Sequence, residues 1–165
     1  MKPALLVIDI QKQFFDLSPE FASSLKDAME YINAAIDIFR EKSLPIVCIQ
    51  HMQPKMELVP GNEGFDSPDD LKVLPTDLHI HKTKGSAFVN TDLRAKLEEM
   101  GVDTLIMTGF AAEYCLLSTY RGAQDMDLNP IVLRGSLASD NVEHIRFVEE
   151  ISDIISYGAL KHILA

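Results

Sequence analysis

Cysteine is scarce in this chain of 165 residues: there are two, Cys48 and Cys115. They lie in separate apolar stretches, so no disulfide framework is available and a reducing, cytoplasmic setting is expected. Positive charge is also thin, with 15 Lys and Arg against 25 Asp and Glu and a formal net charge of −10. That balance speaks against nucleic-acid partners and anionic membrane surfaces, which both require clustered cations. No apolar run approaches the ~20 residues of a membrane span. The opening M-K-P-A-L-L-V-I-D enters a strand pattern at once and is too short for a signal peptide. Repeats, low-complexity tracts and linkers are missing, and residues 1–165 read as one domain with enough apolar content for a proper core.

What is present alternates between strands and helices. Ala4–Ile8 is a continuous apolar run closed by Asp9, the pattern of a strand buried on both faces. After a loop or short turn holding Phe14 and Phe15, Ser18 and Pro19 form a helix start: a capping hydroxyl, then proline at the first helical position. Phe21, Leu25, Ala28, Ile32, Ala35 and Phe39 give that helix one apolar face. Pro45 introduces a second strand, Ile46–Ile49, which ends at Gln50 and His51. Residues 52–75, with four prolines and two glycines, predict a long excursion with one short helical turn. Leu78–His81 is a third strand, with Lys82 just past its end.

Further along, Asn90 or Thr91 caps a helix carrying Leu93, Leu97 and Met100, stopped by Gly101. Strands are expected over Thr104–Met107 and Pro130–Leu133, with a helix over Leu116–Met126 between them. Asp140 and Glu143 predict a capping box for a last helix buried through Val142, Ile145, Val148 (or Phe147), Ile151 and Ile155. Gly158 would end that helix and Ala159–Leu164 would be a sixth strand. Strands that are apolar throughout, alternating with helices, imply an α/β fold: three layers, α/β/α, around a doubly wound six-stranded parallel sheet.

Ligands in such folds sit outside the carboxyl ends of the strands. Asp9, Gln50–His51, Lys82 and Gly109–Cys115 are all predicted there. The stretch T-G-F-A-A-E-Y-C (Thr108–Cys115) combines a glycine and two alanines at a strand-to-helix turn, where a sharp bend needs little bulk. It delivers Cys115 near a helix N-terminus, where orphan N–H groups and the dipole favour an anion, so a readily ionised thiol is expected. Alone, Cys115 could equally be a small packing residue. Cleaving an amide with a thiol requires a group to take its proton and donors for the developing oxyanion. Asp9 can be the base, Lys82 can hold both charges and lower the thiol pKa, and the N–H groups of Ala111 and Cys115 can form the oxyanion hole. Sequence leaves open whether burial or Lys82 decides the titration of Asp9.

Three blocks then resemble the isochorismatase-like cysteine hydrolases. A-L-L-V-I-D-I-Q-K-Q-F-F (4–15) is similar to their opening strand and D-x-Q-N-D-F. K-T-K-G-S-A-F (82–88), followed by T-D-L (91–93), resembles their K-x-x-x-S-A-F. G-F-A-A-E-Y-C-L-L-S-T-Y-R-G-A (109–123) resembles their G-[VI]-x-T-x-x-C-V-x-x-T-A-x-x-A. The resemblance implies that family's fold, with an Asp, Lys, Cys triad on Asp9, Lys82 and Cys115; the register of the second block selects Lys82 over Lys84. It also implies a non-proline cis peptide between Phe110 and Ala111. The implied substrates are small amides, ureido compounds or, in a subset, the vinyl ether of isochorismate. Homodimers or higher homo-oligomers are common among such proteins.

Departures from the pattern fall at Lys12, Gln13, Ala112 and Gly135. Nicotinamidases of the family bind a metal through Asp-x-His after the second strand. Here that run is Ile49-Gln50-His51 and the 52–75 excursion contains no histidine, so neither a metal nor another cofactor is expected. His79 and His81 share a strand face but have no carboxylate to complete a site. His144 and His162 read as surface or packing residues. Phe14, His51, Phe88 and Tyr114 flank the triad in sequence and are candidate walls of a substrate pocket, although packing would explain the aromatics equally well. Two rival functions are vinyl-ether hydrolysis with Asp9 as general acid, against which the cysteine speaks, and a redox-responsive or non-catalytic binding protein.

Overall fold

The strands hydrogen-bond in the order β3-β2-β1-β4-β5-β6, every pair parallel. In this computed structural model, which describes residues 1–165, they are β1 (Pro3–Ile8), β2 (Ile46–His51), β3 (Leu78–Lys82), β4 (Thr104–Phe110), β5 (Asn129–Ala138) and β6 (Ile154–Ile155). The helices are α1 (Pro19–Glu41), α2 (Leu93–Glu99), α3 (Leu117–Asp125), α4 (Val142–Glu150) and α5 (Tyr157–Ile163). The chain winds outward from β1 through β2 to β3, then returns to the other flank of β1 with β4. Two apolar clusters result, one on each face of the sheet. One gathers Leu6, Ile8, Ile49, Leu97, Met107 and Tyr120; the other joins Leu5, Val7 and Ile106 to Leu25, Ile32, Ile36 and Phe39 of α1. The expected three-layer parallel architecture is therefore present.

Local signals account for much of this. Ser18 accepts from Phe21 N with Pro19 beginning α1, and the apolar face of α1 is buried as its periodicity predicts. Gly101 ends α2 at φ 66°, a left-handed conformation natural to glycine. The cap of α2 differs: Asp92 holds the cap position, and the Thr91 hydroxyl accepts from Leu93 N. The excursion holds two short 3-10 turns rather than one, at Pro54–Met56 and Glu63–Phe65.

The end of the chain departs most from the reading of its sequence. Asn141, not Asp140, caps α4 by accepting from Glu143 N, so the predicted capping box is displaced by one residue and does not form. Within α4 only Val148 is fully buried, while Val142 and Phe147 are more than half exposed. Ile155 belongs to β6, a two-residue strand on the sheet edge. Gly158 lies inside α5, and Ala159–Leu164 is mostly helical. The physical reason is a second hydroxyl cap. Ser156 accepts from Ala159 N, and Tyr157, Leu160 and Leu164 recur at helical spacing against the α1 cluster.

Candidate active site

Asp9 leaves β1 at φ 54°, an uncommon left-handed conformation for an L-residue, which turns the chain out of the sheet at its carboxyl edge. Asp9 follows β1 and Cys115 follows β4, the two neighbouring strands at which the winding reverses. Lys82 is the last residue of β3 rather than a residue beyond it, and it pairs in register with His51. Its side chain must therefore reach over the end of β2 to meet Asp9, about two strand spacings away. It does so fully buried. Lys82 Nζ lies 2.9 Å from Asp9 Oδ2, 3.0 Å from His51 Nδ1, 3.0 Å from the Lys84 carbonyl and 3.2 Å from Cys115 Sγ. One ammonium thus joins both other members of the predicted triad.

The turn carrying Cys115 depends on close backbone approach. Gly109 has φ 126°, and a Cβ there would lie 2.1 Å from the Ile8 carbonyl oxygen, so no other residue fits against β1. The following Phe110–Ala111 bond is cis, as the resemblance implies. A single π-helical turn, Ala112–Leu116, then leads into α3. Thr119 ties this turn to the Ser86-Ala87-Phe88 block: its hydroxyl donates to the Cys115 carbonyl at 2.7 Å and accepts from Ala87 N at 3.1 Å. The Ala111 N–H donates to no backbone carbonyl.

The expectation of a readily ionised thiol is not met. Burial, reinforced by the charge of Asp9, pushes the Cys115 thiol up to about 12, against the opposing pull of Lys82. Around the turn, Tyr114 and Leu116 donate to the carbonyl of Ala111, and Leu117 to that of Ala112. Burial also raises Asp9, outweighing its bond to Lys82. Asp9 Oδ1 is buried and has no hydrogen-bond partner. His51 is pushed down to about 4, by burial first and then by Lys82. In the resting site, then, the sulfur holds its proton beside a carboxylate disposed to take one.

Of the proposed pocket walls, Phe14 is half-buried with its ring 4.9 Å from that of Phe110. His51 is part of the Lys82 cluster. Phe88 belongs to the apolar cluster on one face of the sheet and packs beside Gly122 of α3. Tyr114 is 68% exposed and projects from the turn. The larger clefts lie elsewhere. One of about 510 Å³ is lined by Gln124, Leu128 and Asp153, one of about 450 Å³ by Gln13, Met56 and Asn62, and one of about 410 Å³ by Gln50, Phe65, His79 and His81. Cys115 itself is only partly buried.

Asp9, His51 and Cys115 set one ligand-type atom each within 4.8 Å of one another, a trio that would suit a thiophilic ion. Lys82 Nζ stands within 3.2 Å of all three side chains and supplies the positive charge there. His79 bonds to Gln50 and Leu74, and His81 meets Phe65 edge-on. His144 pairs with Glu113 at 2.8 Å, and His162 lies on α5. Two residues of the site were missed in sequence. Gln11, fully buried, bonds to both the N–H and the carbonyl of His51, and Thr119 bridges two of the three blocks. Both fall inside recognised blocks, as the glutamine of D-x-Q and the threonine four residues after Cys115.

Comparison with known proteins bears on the family and the fold. The isochorismatase domain profile matches residues 3–149. Isochorismatase family protein YrdC of Bacillus subtilis is 29% identical over 140 residues, covering 84% of this chain and 74% of that one. Ureidoacrylate amidohydrolase RutB of Caulobacter vibrioides is 38% identical over 64 residues, 39% of this chain and 28% of its own. In fold, the chain superposes on N-carbamoylsarcosine amidase from Thermoplasma acidophilum with a TM-score of 0.80 at 23% identity, covering 94% and 95% of the two chains.

Proposed function

The chain belongs to the isochorismatase domain family of hydrolases, and on that premise we propose that it is a cysteine hydrolase cleaving a C–N bond of a small amide or carbamoyl compound. The observation that carries the reading is the single ammonium of Lys82 bonded to both Asp9 and Cys115 Sγ, while Asp9 Oδ1 remains buried and unpartnered. The free oxygen suits a proton acceptor.

Cys115 gives its proton to Asp9 as sulfur attacks the carbonyl carbon, so thiolate character arises only as the bond forms. The developing oxyanion is received by the N–H groups of Ala111 and Cys115. The C–N bond then breaks, the amine leaves with the proton held by Asp9, and a thioester remains on Cys115. Asp9, again a carboxylate, takes a proton from water, which attacks the thioester and releases the acid and the thiol. Lys82 keeps its contact with carboxylate and sulfur throughout and offsets the negative charge passing between them. The names of the two amide-cleaving relatives support a ureido or carbamoyl substrate.

Incubation with a panel of small primary amides, N-carbamoyl amino acids and ureido acids, followed by mass spectrometry of Cys115, tests the reading. A trapped acyl adduct on Cys115, absent from Cys115→Ala, is the expected result. Full turnover by Cys115→Ala would rule out the covalent route, and its release of pyruvate from isochorismate would favour the vinyl-ether reaction instead.

A further inference from the structure

His51 closes β2, between the strand that leads to Asp9 and the strand that ends in Lys82, and it is held from two sides. On the ring, Nδ1 lies 3.0 Å from Lys82 Nζ. An ammonium only donates, so Nδ1 accepts and the ring proton resides on Nε2. Nε2 has no partner in the chain and is not sealed from solvent. On the backbone, the Gln11 Oε1 atom accepts from His51 N at 2.8 Å, and Gln11 Nε2 donates to the His51 carbonyl at 3.1 Å. The same Nε2 donates to the Phe65 carbonyl, also at 3.1 Å, so one buried side chain fastens the end of β2 to the excursion.

We propose that His51 offers its Nε2–H as a hydrogen-bond donor to an acceptor oxygen of the substrate, carbonyl or carboxylate, and that Gln11 is the positioning residue that aims it. The inference rests on the hydrolase reading and deepens it, because it names a substrate feature. The bound molecule carries an oxygen acceptor within reach of the His51 ring, one nitrogen of which lies within 4.8 Å of both an Asp9 carboxylate oxygen and Cys115 Sγ. The charged and titratable groups around the ring are Lys82, Asp9 and Cys115. Burial and Lys82 keep the imidazole neutral well below neutral pH, so the donor is the same group across the range of about pH 5 to 8.

Nitrogen-15 spectra of histidine-labelled protein read the ring directly, without substrate. The expected result is an Nε2–H tautomer for His51, unchanged from about pH 8 to 5. Gln11→Met, similar in size but with no hydrogen-bonding amide, is expected to give mixed tautomers and a titration moved toward the ordinary imidazole value. Gln11→Glu, which keeps only the acceptor for His51 N, is expected to fall between. With the best substrate of the amide and ureido panel, His51→Leu should raise KM about tenfold while kcat stays within about threefold. His51→Gln, whose amide can place an N–H near the Nε2 position, should restore most of the loss.

An Nδ1–H tautomer, a Gln11→Met spectrum identical to that of the parent, or an unchanged KM in His51→Leu would each overturn the proposal. Failure of the hydrolase reading looks different: the parent protein itself would turn over nothing in the panel. Failure of the present inference alone leaves parent turnover intact and His51→Leu kinetically normal.

Discussion

Cys48, in the middle of β2, and Cys115, on the turn after β4, are both kept as thiols, each pushed up to about 12. At Cys48 the dominant cause is burial: the residue is 2% exposed, and its hydrogen-bond partner is the Ser67 hydroxyl at 3.8 Å. At Cys115 burial is joined by the charge of Asp9 and opposed by Lys82, and the sulfur is partly open. Resting acidity therefore does not distinguish a packing thiol from a nucleophile. What separates them is the neighbourhood: only Cys115 has a cation in contact, an unpartnered carboxylate oxygen nearby and a path to solvent.

The largest expected difference between the two is in turnover. Cys115→Ala should abolish hydrolysis of any substrate found in the amide panel, whereas Cys48→Ala should leave kcat within about twofold. Comparable losses in both variants would break the contrast. Lys82→Met comes next. It leaves the Asp9 carboxylate buried without its cation, and urea unfolding should show a loss of about 3–5 kcal/mol. The cavity made by Cys48→Ala should cost nearer about 1 kcal/mol.

A smaller effect concerns pH. For a thiol whose folded pKa lies above its ordinary value of 9.0, the stabilisation is complete below that value and is lost as pH rises toward about 12. Unfolding measured between pH 8 and about 10.5 should show declining stability, and the decline should be shallower in Cys48→Ala and in Cys115→Ala. An unaltered slope in Cys48→Ala would mean that its burial does not set its acidity. Smallest of all, Thr119→Val should lower stability by about 1–2 kcal/mol by unpairing Ala87 N. Because the same hydroxyl holds the Cys115 carbonyl, iodoacetamide alkylation of Cys115 should change in rate, and that of Cys48 should not.

Much of the fold and site was legible because the relevant signals are local. Four runs, ending at Ile8, Ile49, His81 and Met107 just short of the site residues, mark strands whatever they pair with, and Ser18-Pro19 marks a helix start. The C-terminal elements were misread for an equally local reason. Ala159–Leu164 has enough apolar residues to pass for a short strand, and its helical period shows only once Ser156 is taken as the cap. Val142 and Phe147 illustrate the reverse: apolar residues at helical spacing that remain on the surface, since periodicity alone does not say how much of a face the sheet will cover.

The sequence by itself determined the order of strands and helices from β1 to α4, the chemical identities at the strand ends and the glycine at the bend near the end of β4. Its local patterns carry those properties without reference to distant residues. The protonation of the site was decided only in three dimensions. Whether Cys115 rests as thiol or thiolate, whether Asp9 yields to burial or to Lys82, and which nitrogen of His51 bears the proton all follow from distances near 3 Å among residues as much as 73 positions apart. Desolvation and Coulomb attraction vary steeply over such distances, and pairing four strand ends at one edge is what sets them.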